Sequence, residues 1–340
     1  MTSTILQRAA ALVSLLALSI TGVLAQAPQK PAQNLRLIVF QGGFNLPVWA
    51  AQRQGFFAQN GVAVTLTNTP GSAFQIAKLL EGEFDIGLTA IDNVIAYQEG
   101  QGEAKVMDNP DLFAFMGLDN GFLSLVGAPE IKTLAGLRGK TLSVDAMTTG
   151  YAFVLREIVA RGGLSESEVN YVRAGGVLNR FQELLAGKHS GTLLITPFEI
   201  LAGNRGHPRL AGAQDVLGAY QGLVGAARRS WAGRNEAAVI GFMRAYRSGV
   251  EWLYELPNHE IAEALLVANV PAMTPPLARQ ALGILLHGKS GFYKDVAIDL
   301  KGTQTVLALR SKFGVPQKTL TDPTKYIDLS YYEKAFGARR

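Results

Sequence analysis

The sequence predicts an α/β fold in two lobes, each a mainly parallel sheet flanked by helices, with the chain passing between the lobes twice. Three observations lead there. The chain of 340 residues is longer than one average domain. Between residues 35 and 98 strands and helices alternate with short connections, which implies parallel strands with helices on both faces. After an interruption near 118–122 a second α/β run follows, and the helical last third then needs a sheet to cover.

Each element has a local reason. Residues 1–27 carry Arg8, a 12-residue apolar stretch from Ala9 to Ile20, and small residues before Ala25 and Ala27. That is the pattern of a cleaved secretory signal peptide, too short to span a bilayer, with cleavage after either alanine. Leu35 to Phe40 reads as a strand and Leu46 to Phe57 as a helix, with Pro47 in its first turn and Gly61 as its stop. Trp49 lies mid-helix, a core position. Val62 to Leu66 is a strand, Ser72 to Leu80 a helix ended by Gly82, Phe84 to Leu88 a strand, and Ile91 to Gln98 a helix closed by Gly100. Leu112 to Gly117 and Phe122 to Ala128 read as strands.

The second run begins with a strand at Thr141 to Val144 and a helix at Tyr151 to Arg161, with Gly162 and Gly163 past its end. Ser165 and Glu168 have capping-box spacing. Strand 169–172, helix 177–186 and strand 193–196 follow. Residues 237–256, 261–268, 275–287 and 303–313 have helical periodicity, with Thr274 and Pro275 as N-cap and first residue of the third. These helices are expected to return to the first sheet. The crossings then fall near 118–122 and 219–230.

Composition narrows the function. Hydrophobic residues are 48% and charged residues 17%, which suits a large core and excludes disorder. No cysteine is present, so disulfides, thiolate metal sites, cysteine nucleophiles and a lipidated N-terminal cysteine are excluded. The net charge of +5 has no Lys/Arg run behind it, so no nucleic acid is expected as a partner. The four histidines are isolated, and no metal is expected. Gly139-Lys140-Thr141 resembles the end of a phosphate loop, but Leu134 stands where that loop needs glycine, and a strand follows rather than a helix. No G-x-S-x-G appears. Neither a catalytic residue nor a cofactor is predicted.

The polar loops after the strands carry the candidate site, because ligands in open α/β sheets bind where strands end and helices begin. The candidates are Phe44 and Asn45; Ser72; Thr89, Ile91, Asp92 and Asn93; Asp119 and Asn120; Asp145, Thr148, Thr149, Gly150 and Tyr151; and Thr196 and Phe198. Simpler roles stand beside these. Thr89 and Asp92 have capping-box spacing, and Thr148 or Thr149 is placed to cap the helix after it. Phe44, Phe122 and Phe198 face either core or cleft. Arg180 opens a helix, where positive charge is unfavourable; it either meets an acidic ligand or is solvated, and solvation is the favoured expectation.

The run from Leu46 to Gly61, with Gly55-Phe56-Phe57 at its centre, resembles the first helix of periplasmic substrate-binding proteins of the nitrate/sulfonate/taurine and thiamine-precursor-binding class. Gly71-Ser72 with Leu80 to Gly87, and Leu137 to Asp145 with Gly150 and Gly163-Leu164, resemble later motifs in the same order. The resemblance covers about residues 30–325. It implies a type II periplasmic binding protein fold with an interlobe ligand cleft and two hinge crossings. Lobe one takes 28–120 and 226–340, lobe two 121–225. It implies a soluble, monomeric periplasmic protein that hands a small-molecule ligand to the membrane permease of an ABC importer. The expected ligand is a small sulfonate or carboxylate, with an amine or aromatic heterocycle as the alternative. An enzyme of the same fold acting on a pyrimidine or aromatic precursor, and a ligand sensor for a signalling receptor, are the other classes.

Overall fold

Short β-rich segments bounded by glycine stops build both lobes in a computed structural model that describes residues 32–338. The expected signal peptide lies outside the described residues. The first sheet draws on β1 (Gln33–Val39), β2 (Val62–Asn68), β3 (Ile86–Ala90) and β4 (Leu112–Gly117). Between them run α1 (Leu46–Arg53), α2 (Phe56–Gln59), α3 (Ser72–Glu81) and α4 (Ile91–Gln98). The helix expected over 46–57 is split, because Gly55 takes a left-handed φ of 72° and ends one turn before starting the next.

The second sheet comprises β5 (Leu123–Gly127), β6 (Thr141–Val144), β7 (Asn170–Arg173), β8 (Gly191–Ile195) and β9 (Arg209–Gly212). Its helices are α5 (Gly150–Arg161), α6 (Val177–Leu185), α7 (Phe198–Gly203) and α8 (Ala213–Leu217). The Ser165/Glu168 capping box is present. The chain returns through β10 (Leu223–Arg228), then α9 (Arg229–Arg234), α10 (Glu236–Tyr254), α11 (His259–Asn269), α12 (Pro275–Leu285), α13 (Leu300–Phe313) and α14 (Ser330–Phe336). Helix α10 packs on the first lobe, against α1, α2 and β2.

The strand orders are β2-β1-β3-β10-β4 and β7-β6-β8-β5-β9. In each sheet the first three strands are parallel, and the fourth, which follows a crossing, runs antiparallel to both its neighbours. The lobes therefore repeat one topology although their sequences show no repeat. Strand β10 begins at Leu223 and pairs wholly with β3 and β4, so the return crossing ends before it.

The two crossings touch. Gly222 N–H donates to the Asp119 carbonyl at 3.0 Å, and Leu118 N–H donates to the Leu223 carbonyl at 2.9 Å. A Cβ at Gly222 would overlap the Gly121 backbone nitrogen, and backbone cannot swing aside as a side chain can. Gly222→Ala is expected to lower stability by about 1–3 kcal/mol, read from the urea midpoint. Gly233→Ala, with nothing near its Cβ, is the control and is expected to be neutral or mildly stabilising.

Candidate functional site

Strand ends from both lobes meet around a narrow, partly enclosed cavity at the place where open α/β folds bind small molecules. Lobe one supplies Phe40, Phe44, Ser72, Ala90, Asn93 and Leu223. Lobe two supplies Asp145, Thr149, Gly150, Tyr151, Val177, Arg180 and Ile195. Phe40, Ala90, Asp145 and Ile195 follow or end parallel strands, and Ser72, Asn93, Gly150 and Arg180 sit in first helical turns. This is the strand-to-helix geometry that places ligands in open α/β sheets.

Arg180 is the charge that stands out. It is buried, contrary to the solvated side chain expected, and has no carboxylate within ion-pair distance among the described residues. Its Nη1 donates to the Gly175 carbonyl at 2.7 Å and its Nη2 to the Leu193 carbonyl at 3.2 Å. Two carbonyls leave several of its five donors free. Burial pulls the guanidinium below its ordinary pKa, while Asp145 and Tyr151 oppose that shift. The Tyr151 hydroxyl is buried with no hydrogen-bond partner, and burial raises its pKa well above the ordinary value.

Asp145 faces the same cavity and crosses the cleft. Its carboxylate accepts from Ser72 N–H at 3.0 Å and from the Ser72 hydroxyl. Beside it the Gly176 N–H donates to the Pro70 carbonyl at 2.8 Å. Deeper in, Asp92 of lobe one accepts from Gly150 N–H of lobe two at 2.6 Å. Arg310 clamps that carboxylate with two bonds of 2.7 and 2.8 Å, reaches the Thr148 carbonyl at 2.7 Å, and donates to Gln101 at 3.0 Å. Arg310 is fully buried and its guanidinium lies 4.9 Å from the Phe153 ring centre.

The expected residues fall into three groups. Phe44, Ser72, Asn93, Asp145, Thr149, Gly150 and Tyr151 line the cavity. Asn45, Thr89, Asp92 and Thr148 sit behind that lining. Asn45 bonds the Phe40 carbonyl, Thr89 accepts from Asn93, and Thr148 offers only its carbonyl. The others lie elsewhere. Ile91 is core, its N–H bonded to Gly222. Asp119 and Asn120 belong to the hinge, where Asp119 accepts from Gly121 and Leu223 N–H groups. Thr196 donates to Glu199 and, with Asn120 and Phe122, lines a separate depression. Phe198 packs on Phe181 in the core.

The capping expectations also need correcting. Ala90 is the N-cap of α4, and Asp92 is drawn away by Arg310. Thr149 makes no side-chain cap; its hydroxyl donates to the Ala146 carbonyl. Trp49 is half-buried against the core. The sequence reading missed Arg310, Gln101, Phe40, Val177, Ile195 and Leu223. Only Phe40 carried a signal, as an aromatic at the end of the first strand.

Two buried acids beside the cleft titrate late. Burial pushes Asp119 up to about 6 and Glu199 up to about 7, and Glu199 Oε2 has no partner. Such groups favour the fold below their ordinary pKa, near 4, and that contribution is lost as pH rises through 6 to 7. Glu199→Gln is therefore expected to exceed the wild type in stability at pH 8, by up to about 3 kcal/mol. At pH 4 the two should match, as thermal melts at the two pH values will show.

Among the described residues no helix is long and apolar enough to cross a membrane, and no group of three or more His, Asp or Glu is placed to hold a metal ion. Among curated proteins none matches the sequence. Solved structures do match in fold. The alkanesulfonate-binding protein SsuA from Xanthomonas axonopodis pv. citri, bound to MOPS, is 15% identical, with 88% of this chain and 99% of that one covered at a TM-score of 0.70. The periplasmic nitrate-binding protein NrtA from Synechocystis PCC 6803 is 11% identical, with 89% and 88% covered at 0.74. The ligand-binding component of an ABC-type import system from Staphylococcus aureus, with zinc bound, is 12% identical, with 90% and 100% covered at 0.73. The fold is thus the expected two-lobed type II periplasmic binding protein fold. A family profile described as NMT1/THI5 like matches residues 45–260, more than half of the sequence, and the chain belongs to that family.

Proposed function

We propose that the protein is an extracytoplasmic solute-binding protein that captures a small organic acid in the interlobe cavity and delivers it to an ABC importer. The observation that carries this reading is Arg180, a buried cation with free donors and no carboxylate partner, facing a cavity that both lobes line. A carboxylate or sulfonate there would supply the missing counter-charge. Phe40, Phe44 and Tyr151 offer apolar walls for the remainder of the ligand. Asp145 and the aromatic lining support a second reading, an amine or aromatic heterocycle.

The chemistry proposed is binding, with no catalytic residue and no cofactor. Ligand touching both lobes favours the closed form, and the closed form docks on the membrane permease. The proposed compartment is the periplasm, reached through cleavage of residues 1–27, and the proposed state is a monomer. Lobe one is proposed to end near 118 and resume at 223, with lobe two between the crossings.

Isothermal titration against organic acids and sulfonates, and against amines and heterocycles, decides between the readings. The first predicts heat from an acid; tight binding of a neutral or cationic compound with no heat from any acid rules it out. Ligand at 100 times Kd should also stabilise the protein by about 2.7 kcal/mol and raise its melting temperature. Replacing Arg180 by glutamine is expected to shrink that rise in a protein that still folds.

A further inference from the structure

The cleft contains an anion already, and it belongs to the protein. The amino end of α5, a helix of 12 residues, points into the space between the lobes, and its first N–H, that of Gly150, is bonded to the Asp92 carboxylate at 2.6 Å. Free N–H groups and a partial positive charge make such an end attractive to any carboxylate or sulfonate. Arg310 completes the receptor, with two donors on the same carboxylate. Asp92 and Arg310 are 1% and 0% exposed, so this pair is enclosed by protein rather than by water. Glycine is needed at 150, since a Cβ there would overlap the Asp92 carboxyl group.

We propose that Asp92 is a resident anion: its carboxylate fills the receptor made by the amino end of α5 and Arg310, and so determines that an acid ligand is received at Arg180 instead. Gly150 and Thr149 line the cavity while Asp92 does not, so the carboxylate closes the cavity's α5 end from behind. A tethered carboxylate competes with a free one at the high effective concentration of an intramolecular group. A ligand's acid group is thereby turned away from α5, and Arg180 is left as the unmatched cation in the lining. Because Asp92 and Arg310 belong to lobe one while Gly150 and Thr148 belong to lobe two, the resident anion also bridges the lobes as a ligand would. The inference rests on reading the cavity as an acid-binding site only for its consequence at Arg180.

Chemical rescue tests it. An Arg180→Gln background silences the acid receptor proposed above, so that the outcome does not depend on it. In that background Asp92→Ala is expected to melt several degrees below its parent in chloride. Formate or acetate at equal ionic strength is expected to recover at least half of the loss, while the parent responds equally to all three salts. Adding Arg310→Gln to Asp92→Ala is expected to abolish the rescue. Equal melting of Asp92→Ala in formate and chloride, or rescue that survives Arg310→Gln, would overturn the proposal. Should Asp92→Ala not fold in chloride, a higher refolding yield in formate than in chloride supports the proposal, and an equal yield overturns it. Failure of organic acids to bind the wild type would count against the proposed ligand class alone, because the rescue reads formate at the vacated α5 end.

Discussion

Arg310→Met is expected to destabilise the protein by about 3–5 kcal/mol, the cost of leaving one member of a buried ion pair without its partner. Asp92 would then sit almost fully buried with only the Gly150 N–H still donating to it among the described residues, and the Thr148 carbonyl would lose its donor. The effect should extend past stability, because the lost bond to the Thr148 carbonyl ties lobe one to lobe two and the lost bonds to Asp92 anchor the carboxylate that holds Gly150. Hydrogen exchange at the Gly150 amide is expected to accelerate more than exchange in the β1 and β3 core strands. A fair comparison is Arg36→Met. Arg36 holds Asp85 with bonds of 3.1 and 2.7 Å, but its side chain is 52% exposed, and although Asp85 is buried it keeps the Arg36 backbone N–H at 2.8 Å, so loss of this half-solvated arginine is expected to cost roughly 0–1 kcal/mol. Equal losses in the two variants would show that the enclosure of Arg310 adds nothing.

The second large effect concerns ligand rather than folding. Arg180→Gln is expected to weaken binding of an acid by about 2 kcal/mol or more, at least about 30-fold in Kd. The fold should tolerate the change better than it tolerates loss of Arg310, because Arg180 leaves only two backbone carbonyls behind it and no buried carboxylate partner. A titration that shows unchanged affinity, in a variant with an unchanged melt, would remove Arg180 from the site. The Asp145→Asn variant separates the two ligand readings. An amine or aminoheterocycle would lose affinity, whereas a simple acid would bind as well or better once the nearby negative charge is gone.

Much of the fold was legible in the sequence, because its signals are local. Glycines such as Gly61, Gly82 and Gly163 take the left-handed conformation that ends a helix, and each stands where an apolar period breaks. Strands β1, β3 and β6 are short apolar runs, and their partners follow from the alternation. What escaped was non-local. Arg310 reaches Asp92 across 218 positions, and the last turn of a helix is an ordinary place for an arginine. The Asp92 carboxylate had a plausible local use as a cap, and only the fold shows the stronger competitor. Strand β10 was hidden because Leu223 to Arg228 is a short apolar run with a glycine inside it, and its value lies in the strands it joins.

The candidate site was legible as loops but not as directions. The loops at 72, 89–93 and 145–151 do converge on the cavity, because strand-to-helix turns in both lobes face each other. Within a loop, however, alternate residues turn opposite ways. Thr149 lines the cavity whereas Thr148 supplies a carbonyl to Arg310, and Asn93 lines it whereas Asp92 lies behind. Arg180 was the informative misreading. Its unfavourable place at the start of α6 suggested an acidic partner, and its burial restores that suggestion.

Whether the interlobe cavity holds a small acid against Arg180 is tested most directly by native mass spectrometry of the protein purified from its own cells, beside the Arg180→Gln variant prepared in the same way. The expected result is a small-molecule adduct on the wild type that is lost from the variant and whose mass and fragmentation identify a carboxylic or sulfonic acid. An adduct retained undiminished by the variant, or one identified as a compound with no acid group, would contradict it.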